Sequence, residues 1–245
     1  MTRLLVSVRS FEEACLAAEA GVDLIDLKEP RHGSLGRVDF DTARQISEHL
    51  AIERPLSMAL GELAEWSDAD WSLIDQIPPG VAYAKLGLAG CAELPDWRVL
   101  WQRAIRFHPS HCQSVAVIYS DWHEARAPKP ESVLDLALEN GCRALLIDTW
   151  RKDRGNVFAH CDASTTDALF GRAKQYGLLT VLAGSLTSAN VDHALALAPD
   201  FVAVRGAVCS DSREGALVPD KLRQWRELIS EKRPPACPVE CHAGS

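Results

Sequence analysis

The stretch Leu24-Ile25-Asp26-Leu27-Lys28-Glu29-Pro30 combines a short apolar strand with two opposite charges that lie two residues apart. Because side chains alternate between the two faces of a strand, Asp26 and Lys28 share one face, and Ile25 and Leu27 share the other. Burial of a charged pair costs free energy, so the pair needs either a structural or a chemical reason. Taken alone, this stretch favours a structural ion pair.

The segments on either side repeat one pattern, in which a short apolar strand is followed by a helix. The first helix is expected between Ser10, a good capping residue, and Gly21. Strands are expected at residues 4–8, 24–29, 56–60, 81–86, 114–119, 144–148, 178–183 and 201–204. The later helices are expected at residues 42–50, 68–77, 96–107, 131–140, 164–176, 188–197 and 220–230.

Strict alternation of strands and helices over 245 residues predicts an α/β protein with a single (β/α)8 TIM barrel. A dinucleotide-binding sheet is disfavoured, because no Gly-x-Gly-x-x-Gly follows the first strand. We expect the barrel to span residues 1–233 and residues 234–245 to form a disordered tail.

Composition limits the partners of the chain. It is 47% hydrophobic and carries a formal net charge of -8, which argues against nucleic acid or an anionic membrane surface as a partner. The N-terminal apolar segment is too short for a signal peptide, and no later run could span a bilayer. We therefore expect a cytoplasmic protein with reduced cysteines. A homo-oligomer is compatible with the sequence.

Two groups of cysteine and histidine residues raise the question of a metal site. They are His108, His111 and Cys112 before the fifth strand, and Cys237, Cys241 and His242 in the tail. Neither group repeats the paired short spacings of a zinc module. We expect no bound metal.

Charged residues fall at the carboxyl ends of strands two, four and six, where TIM barrels place their chemistry. They are Asp26 and Lys28, Lys85, and Asp148 followed by Lys152. Alone, Lys85 is compatible with a snorkelling side chain and Asp148 with a helix cap. Together they favour a reactive amine, because desolvation and neighbouring cations lower the pKa of a lysine and only a neutral amine forms a Schiff base. The aspartates can transfer protons.

A phosphate site is expected in the loops after the last two strands. Gly184 and Ser185 follow strand seven, and Arg205 and Gly206 follow strand eight. TIM barrels commonly hold phosphate there with backbone N–H groups, although Gly-Ser pairs also occur in ordinary turns. A further glycine-rich loop, Gly33-Ser34-Leu35-Gly36, follows Lys28 and could close over the mouth.

Over nearly its whole length the sequence resembles the (5-formylfuran-3-yl)methyl phosphate synthase family. The matching motifs are Leu4-Leu5-Val6-Ser7, Ile25-Asp26-Leu27-Lys28, Gly33-Ser34-Leu35-Gly36, Lys85-Leu86-Gly87-Leu88, Asp148-Thr149 with Lys152, Ala183-Gly184-Ser185, and Val204-Arg205-Gly206-Ala207. The segment Trp150-Arg151, which joins Asp148 to Lys152, departs from the family pattern.

The resemblance implies an enzyme of methanofuran biosynthesis that condenses two molecules of glyceraldehyde 3-phosphate, with loss of phosphate and water. It implies that Lys28 forms the Schiff base and Lys85 accepts a proton, with Asp26, Asp148 and Lys152 at the remaining charged positions. It implies no metal or organic cofactor. Two alternatives remain open: a lysine Schiff-base aldolase acting on another phosphorylated sugar, and a non-catalytic barrel that binds phosphorylated metabolites.

Overall fold

Eight parallel strands close into a barrel in the computed structural model, which describes residues 1–231. Each strand pairs with its neighbours in sequence, and β8 returns to β1 with Phe201 opposite Arg3. The strands are β1 (Arg3–Val8), β2 (Leu24–Leu27), β3 (Leu56–Glu62), β4 (Val81–Gly87), β5 (Gln113–Tyr119), β6 (Ala144–Asp148), β7 (Leu179–Leu182) and β8 (Phe201–Val204). The predicted (β/α)8 barrel is confirmed.

The α-helices lie outside the strands and connect one to the next. They are α1 (Phe11–Glu19), α2 (Phe40–Leu50), α3 (Trp97–Phe107), α4 (Pro130–Glu139), α5 (Val157–His160), α6 (Ala163–Gln175), α7 (Val191–Ala196) and α8 (Pro219–Glu231). Ser10 caps α1 as predicted, since its side chain accepts a hydrogen bond from the Glu13 N–H. The additional short helix α5 lies in the connection after β6.

The connection between β3 and β4 differs from the prediction. The α-helix expected at residues 68–77 is a 3₁₀ helix at Asp68–Gln76. Its first turn is held by local bonds, in which Ser67 donates its backbone N–H and its hydroxyl to the carboxylate of Asp70. Short polar side chains of this kind compete with the hydrogen bonds of a regular helix. Pro78 and Pro79 come just after the segment and prevent the helix from continuing.

The strands separate two apolar layers. Ile25 and Leu27 pack in the outer layer between the strands and the helices, whereas Leu24 packs inside the barrel. The alternation places Asp26 in the interior, where it is 1% exposed. The predicted faces of the second strand are therefore confirmed, and the charged residues point toward the barrel axis.

The segment expected to be a tail, residues 234–245, lies outside the described residues. Within residues 1–231 no helix is long and apolar enough to cross a membrane.

Candidate active site

A carboxylate and an ammonium from β2 and β4 form the deepest part of the site. Lys85 Nζ lies 2.5 Å from Asp26 Oδ1, and both side chains are buried. The hydroxyls of Ser57 and Ser7 donate to the same carboxylate at 2.7 and 2.9 Å. Burial alone would raise the pKa of Asp26, but Lys85, Lys28 and the hydrogen bonds lower it. Asp26 is therefore an anion held by three donors.

A second such pair lies at the end of β6. Lys152 Nζ is 2.5 Å from Asp148 Oδ1, and the Thr149 N–H donates to the same oxygen at 2.8 Å. Against the effect of burial, Lys152 and Lys28 lower the pKa of Asp148 to about 2. Desolvation lowers the pKa of Lys152, although Asp148 opposes that shift. The carboxylate of this pair therefore resists protonation.

The unusual segment between Asp148 and Lys152 is itself held in place. Asp121, at the end of β5, accepts the backbone N–H groups of Trp150 and Arg151, each at 2.7 Å. These two hydrogen bonds hold the turn in which Lys152 contacts Asp148. The Trp150-Arg151 departure from the family pattern therefore leaves the pair intact.

Lys28 follows the last residue of β2 and lies between the two pairs. Among residues 1–231 its amine has no hydrogen-bond partner. The charges that act on it belong to Asp26, Lys85, Asp148 and Lys152. Loss of hydration, together with Lys152 and Lys85, lowers the pKa of Lys28 to about 7, although Asp148 and Asp26 oppose the shift. A large fraction of this amine is neutral at neutral pH, as nucleophilic attack requires.

The predicted phosphate residues border a cavity of about 350 Å³ that opens above Lys28. Gly184 has φ +99° and Ser185 has φ +53°, so the chain after β7 turns sharply at the cavity wall. A side chain at position 184 would approach Val157 Cβ to 2.8 Å, which explains the glycine. The N–H groups of Gly184 and Ser185 donate no hydrogen bond within residues 1–231. Gly206 also lines the cavity.

The two arginines near this cavity have different surroundings. The guanidinium of Arg205 is buried and donates to the Glu13 carboxylate at 2.8 Å and to the Ser7 carbonyl at 2.8 Å. Arg205 lines the cavity, but its positive charge is already paired within the fold. Arg213, which the sequence analysis did not single out, lines the cavity and donates to the Gly33 carbonyl at 2.8 Å.

The loop Gly33–Gly36 closes part of the mouth. Ser34 is 3% exposed, and its hydroxyl lies 2.9 Å from the Thr149 carbonyl and 3.3 Å from Asp148 Oδ2. Leu35 packs among the interior apolar side chains, and its carbonyl accepts the N–H of Gly61 at 2.9 Å. The loop that the sequence placed after Lys28 thus contacts the Asp148–Lys152 pair directly.

Glu62 and Tyr119 form a buried pair that sequence reasoning also missed. Tyr119 Oη donates to Glu62 Oε1 at 2.5 Å, and the Ala89 N–H donates to Glu62 Oε2 at 2.9 Å. Burial raises the pKa of Glu62 and, with Glu62 itself, raises that of Tyr119. A single glutamate at a strand end carries no sequence signal, since its tyrosine partner is 57 residues away.

Together these contacts join a partly neutral amine, two carboxylate–ammonium pairs and a cavity of about 350 Å³. This combination suits imine formation followed by proton transfers on a phosphorylated carbonyl compound. Within residues 1–231 no three metal-ligating side chains gather. His108 instead contacts the Ser114 hydroxyl through Nδ1 at 2.6 Å.

Sequence comparisons identify relatives of this chain. The sequence model of a family described as 4-HFC-P synthase matches residues 4–226. A (5-formylfuran-3-yl)methyl phosphate synthase of Methanopyrus kandleri is 31% identical over 234 residues, which cover 93% of this chain and 99% of that protein. The protein of the same name from Archaeoglobus fulgidus is 29% identical over 233 residues, with the same coverage of 93% and 99%.

Comparisons with solved structures agree on the fold. Phosphoribosyl anthranilate isomerase from Thermus thermophilus superimposes with a TM-score of 0.61 at 18% identity, covering 95% of this chain and 100% of that one. 3-Hexulose-6-phosphate synthase from Salmonella typhimurium gives a TM-score of 0.59 at 19% identity, covering 91% and 97%. At these low identities, both similarities show only that the barrel fold is shared.

Proposed function

The chain belongs to the 4-HFC-P synthase family, and on that basis we propose that it condenses two molecules of glyceraldehyde 3-phosphate into (5-formylfuran-3-yl)methyl phosphate. The atoms balance when one phosphate and two water molecules leave. The observation that carries the proposal is the half-buried amine of Lys28, with a pKa of about 7, between two charged pairs and below the cavity. The product is a furan intermediate of methanofuran biosynthesis.

Lys28 is the proposed nucleophile. Its neutral amine attacks the aldehyde carbon of one substrate, and the carbinolamine then loses water to give an iminium ion. Lys85, which is ion-paired with Asp26, is placed to donate a proton to the departing hydroxyl. Once it has donated, Lys85 is neutral and can accept a proton in a later step.

The iminium ion acidifies the neighbouring C–H bond and so prepares the loss of phosphate. Removal of that proton gives an enamine, and the phosphate on the next carbon leaves with its bonding electrons. Lys152 and the unbonded N–H groups of Gly184 and Ser185 lie where an anion would be stabilised. Aldol-type addition to the second aldehyde, ring closure and dehydration complete the furan.

Reductive trapping tests the role of Lys28. Borohydride with glyceraldehyde 3-phosphate is expected to attach the substrate skeleton to Lys28, detected by peptide mass. Lys28→Arg should abolish both adduct and turnover, because a guanidinium stays protonated. The matched control is Lys129→Arg, an exposed lysine at the start of α4, which should keep both. An unlabelled Lys28 in active enzyme would refute the mechanism.

Product identification tests the reaction itself. A Schiff-base aldolase acting on another phosphorylated sugar would also label Lys28, so the adduct alone does not separate the two. Incubation with glyceraldehyde 3-phosphate as sole substrate is expected to release inorganic phosphate and a conjugated furaldehyde with strong ultraviolet absorption. A Lys28 adduct with neither phosphate release nor a furan product would favour the aldolase alternative, because aldol addition and cleavage leave the phosphate ester intact.

A further inference from the structure

We propose that Arg213 is the residue that recognises the substrate's phosphate group, and that its contact with Gly33 links this recognition to the loop Gly33–Gly36. The proposal rests on the proposed function only for the identity of the phosphorylated substrate. Binding of a phosphate group in this cavity can be measured without turnover.

Lys28, Lys152 and Arg213 are cations that line the cavity. Lys28 is the proposed nucleophile, and Lys152 is already paired with Asp148 at 2.5 Å. Arg213 differs from both, because within residues 1–231 its guanidinium donates one hydrogen bond, to the Gly33 carbonyl, and forms no close ion pair. A guanidinium has five N–H donors, so Arg213 keeps donors for a ligand.

The free donors of Arg213 share the cavity with unbonded backbone N–H groups. The same cavity is bordered by Gly184 and Ser185, whose N–H groups donate to nothing within the described chain. A dianionic phosphate accepts several hydrogen bonds, and a guanidinium fork matches two of its oxygens. Arg205 does not compete for this role, because Glu13 and the Ser7 carbonyl already occupy its guanidinium.

Arg213 also contacts the loop Gly33–Gly36. The Gly33 carbonyl that Arg213 holds precedes Ser34, whose hydroxyl contacts the Thr149 carbonyl and Asp148 Oδ2. A phosphate bound by Arg213 would therefore fix the guanidinium that anchors this loop over the Asp148–Lys152 pair. One side chain thus joins phosphate recognition to the placement of Asp148.

The test uses two variants that preserve the side-chain stem. Arg213→Met removes the charge, and Arg213→Lys keeps the charge but loses the fork. Loss of one charged hydrogen-bonding group is expected to raise KM for glyceraldehyde 3-phosphate roughly tenfold to a hundredfold in Arg213→Met. Arg213→Lys should show a smaller increase. The control is Arg31→Ala, an exposed arginine near the same mouth, which should leave KM unchanged.

Two further measurements separate recognition from a general structural role. Arg213→Met should reduce borohydride trapping of Lys28 far more with glyceraldehyde 3-phosphate than with unphosphorylated glyceraldehyde, because only the first substrate carries the phosphate that Arg213 binds. Inorganic phosphate should protect the Leu35 and Gly36 amides from hydrogen exchange in the wild type and fail to do so in Arg213→Met.

Equal losses with both aldehydes, or undiminished binding of inorganic phosphate to Arg213→Met by calorimetry, would overturn the proposal. If the wild type gave no Lys28 adduct, the mechanism under Proposed function would fail. The calorimetric comparison of phosphate binding would still decide the role of Arg213.

Discussion

Lys28 differs from the two other lysines at the barrel mouth in having no carboxylate within hydrogen-bonding distance among the described residues. Lys85 and Lys152 each lie 2.5 Å from an aspartate, which stabilises their charged forms. The same two aspartates, and both ammonium groups, act on Lys28 through longer-range Coulombic interactions. The site therefore contains one amine suited to nucleophilic attack and two suited to proton transfer.

The pH dependence of trapping follows from this arrangement. Only neutral Lys28 reacts, so the trapping rate should rise with pH through about 7, the pKa of this amine. Lys152→Met removes a cation that lowers this pKa, so the rise should move to higher pH. Asp148→Asn removes an anion that raises it, so the rise should move to lower pH. Trapping rates measured between pH 5 and 10 check both signs.

Lys129→Met is the control for these profiles, since Lys129 is exposed at the start of α4. Its profile should coincide with that of the wild type. Shifts in the same direction for Lys152→Met and Asp148→Asn would contradict the electrostatic explanation, because the two residues act on Lys28 with opposite signs.

At the scale of elements, the ends of β3 and β4 fit together around one buried carboxylate. Glu62 ends β3 opposite Gly87, the last residue of β4. A side chain at position 87 would overlap the Glu62 carboxylate, which is already fixed by Tyr119 and the Ala89 N–H. The glycine of the Lys85-Leu86-Gly87-Leu88 motif therefore makes room for the Glu62 side chain beside the site.

Gly87→Ala should lower the free energy of unfolding by about 1–3 kcal/mol, as overpacking of a buried position does. Gly171→Ala is the matched control, because Gly171 lies in α6 with nothing near its missing side chain. That change should stabilise the protein by roughly 0.5–1 kcal/mol through helix propensity. Urea denaturation of both variants measures the difference, and a Gly87→Ala variant as stable as Gly171→Ala would contradict the packing argument.

At the scale of the whole molecule, one ion pair ties the last strand to the first strand and helix. Arg205 follows β8 and donates to Glu13 of α1 and to the carbonyl of Ser7 in β1. Both charged side chains are buried, with 5% and 8% of their surfaces exposed. This contact lies where the barrel closes, so it supports the closure and the cavity wall together.

Glu13→Ala should destabilise the protein by about 3–5 kcal/mol, because it leaves a buried guanidinium without its counter-ion. The comparison is Arg172→Ala, which breaks an exposed pair with Asp135 and should change the stability by less than about 1 kcal/mol. Thermal and urea unfolding of the two variants give these values. Similar small effects would show that the closing pair adds little to the barrel.

Local patterns in the chain were enough to predict the barrel and its strand faces. The alternation around Asp26 and the strand–helix repeat depend on neighbours in sequence, and the structure confirms both. The exception is Asp68–Gln76, where local bonds between Ser67 and Asp70 favour a 3₁₀ helix over the expected α-helix. Such competition depends on side-chain geometry that periodicity does not express.

The sequence by itself determined that charges from strands two, four and six meet at one mouth, because parallel strands present their carboxyl ends together. Only the tertiary structure decided which charges pair: Asp26 with Lys85, Asp148 with Lys152, and Arg205 with Glu13. It also placed Arg213 at the cavity, 180 residues from the Gly33 that it contacts. Pairing energies depend on distances of a few ångströms, and those distances exist only once the barrel has closed.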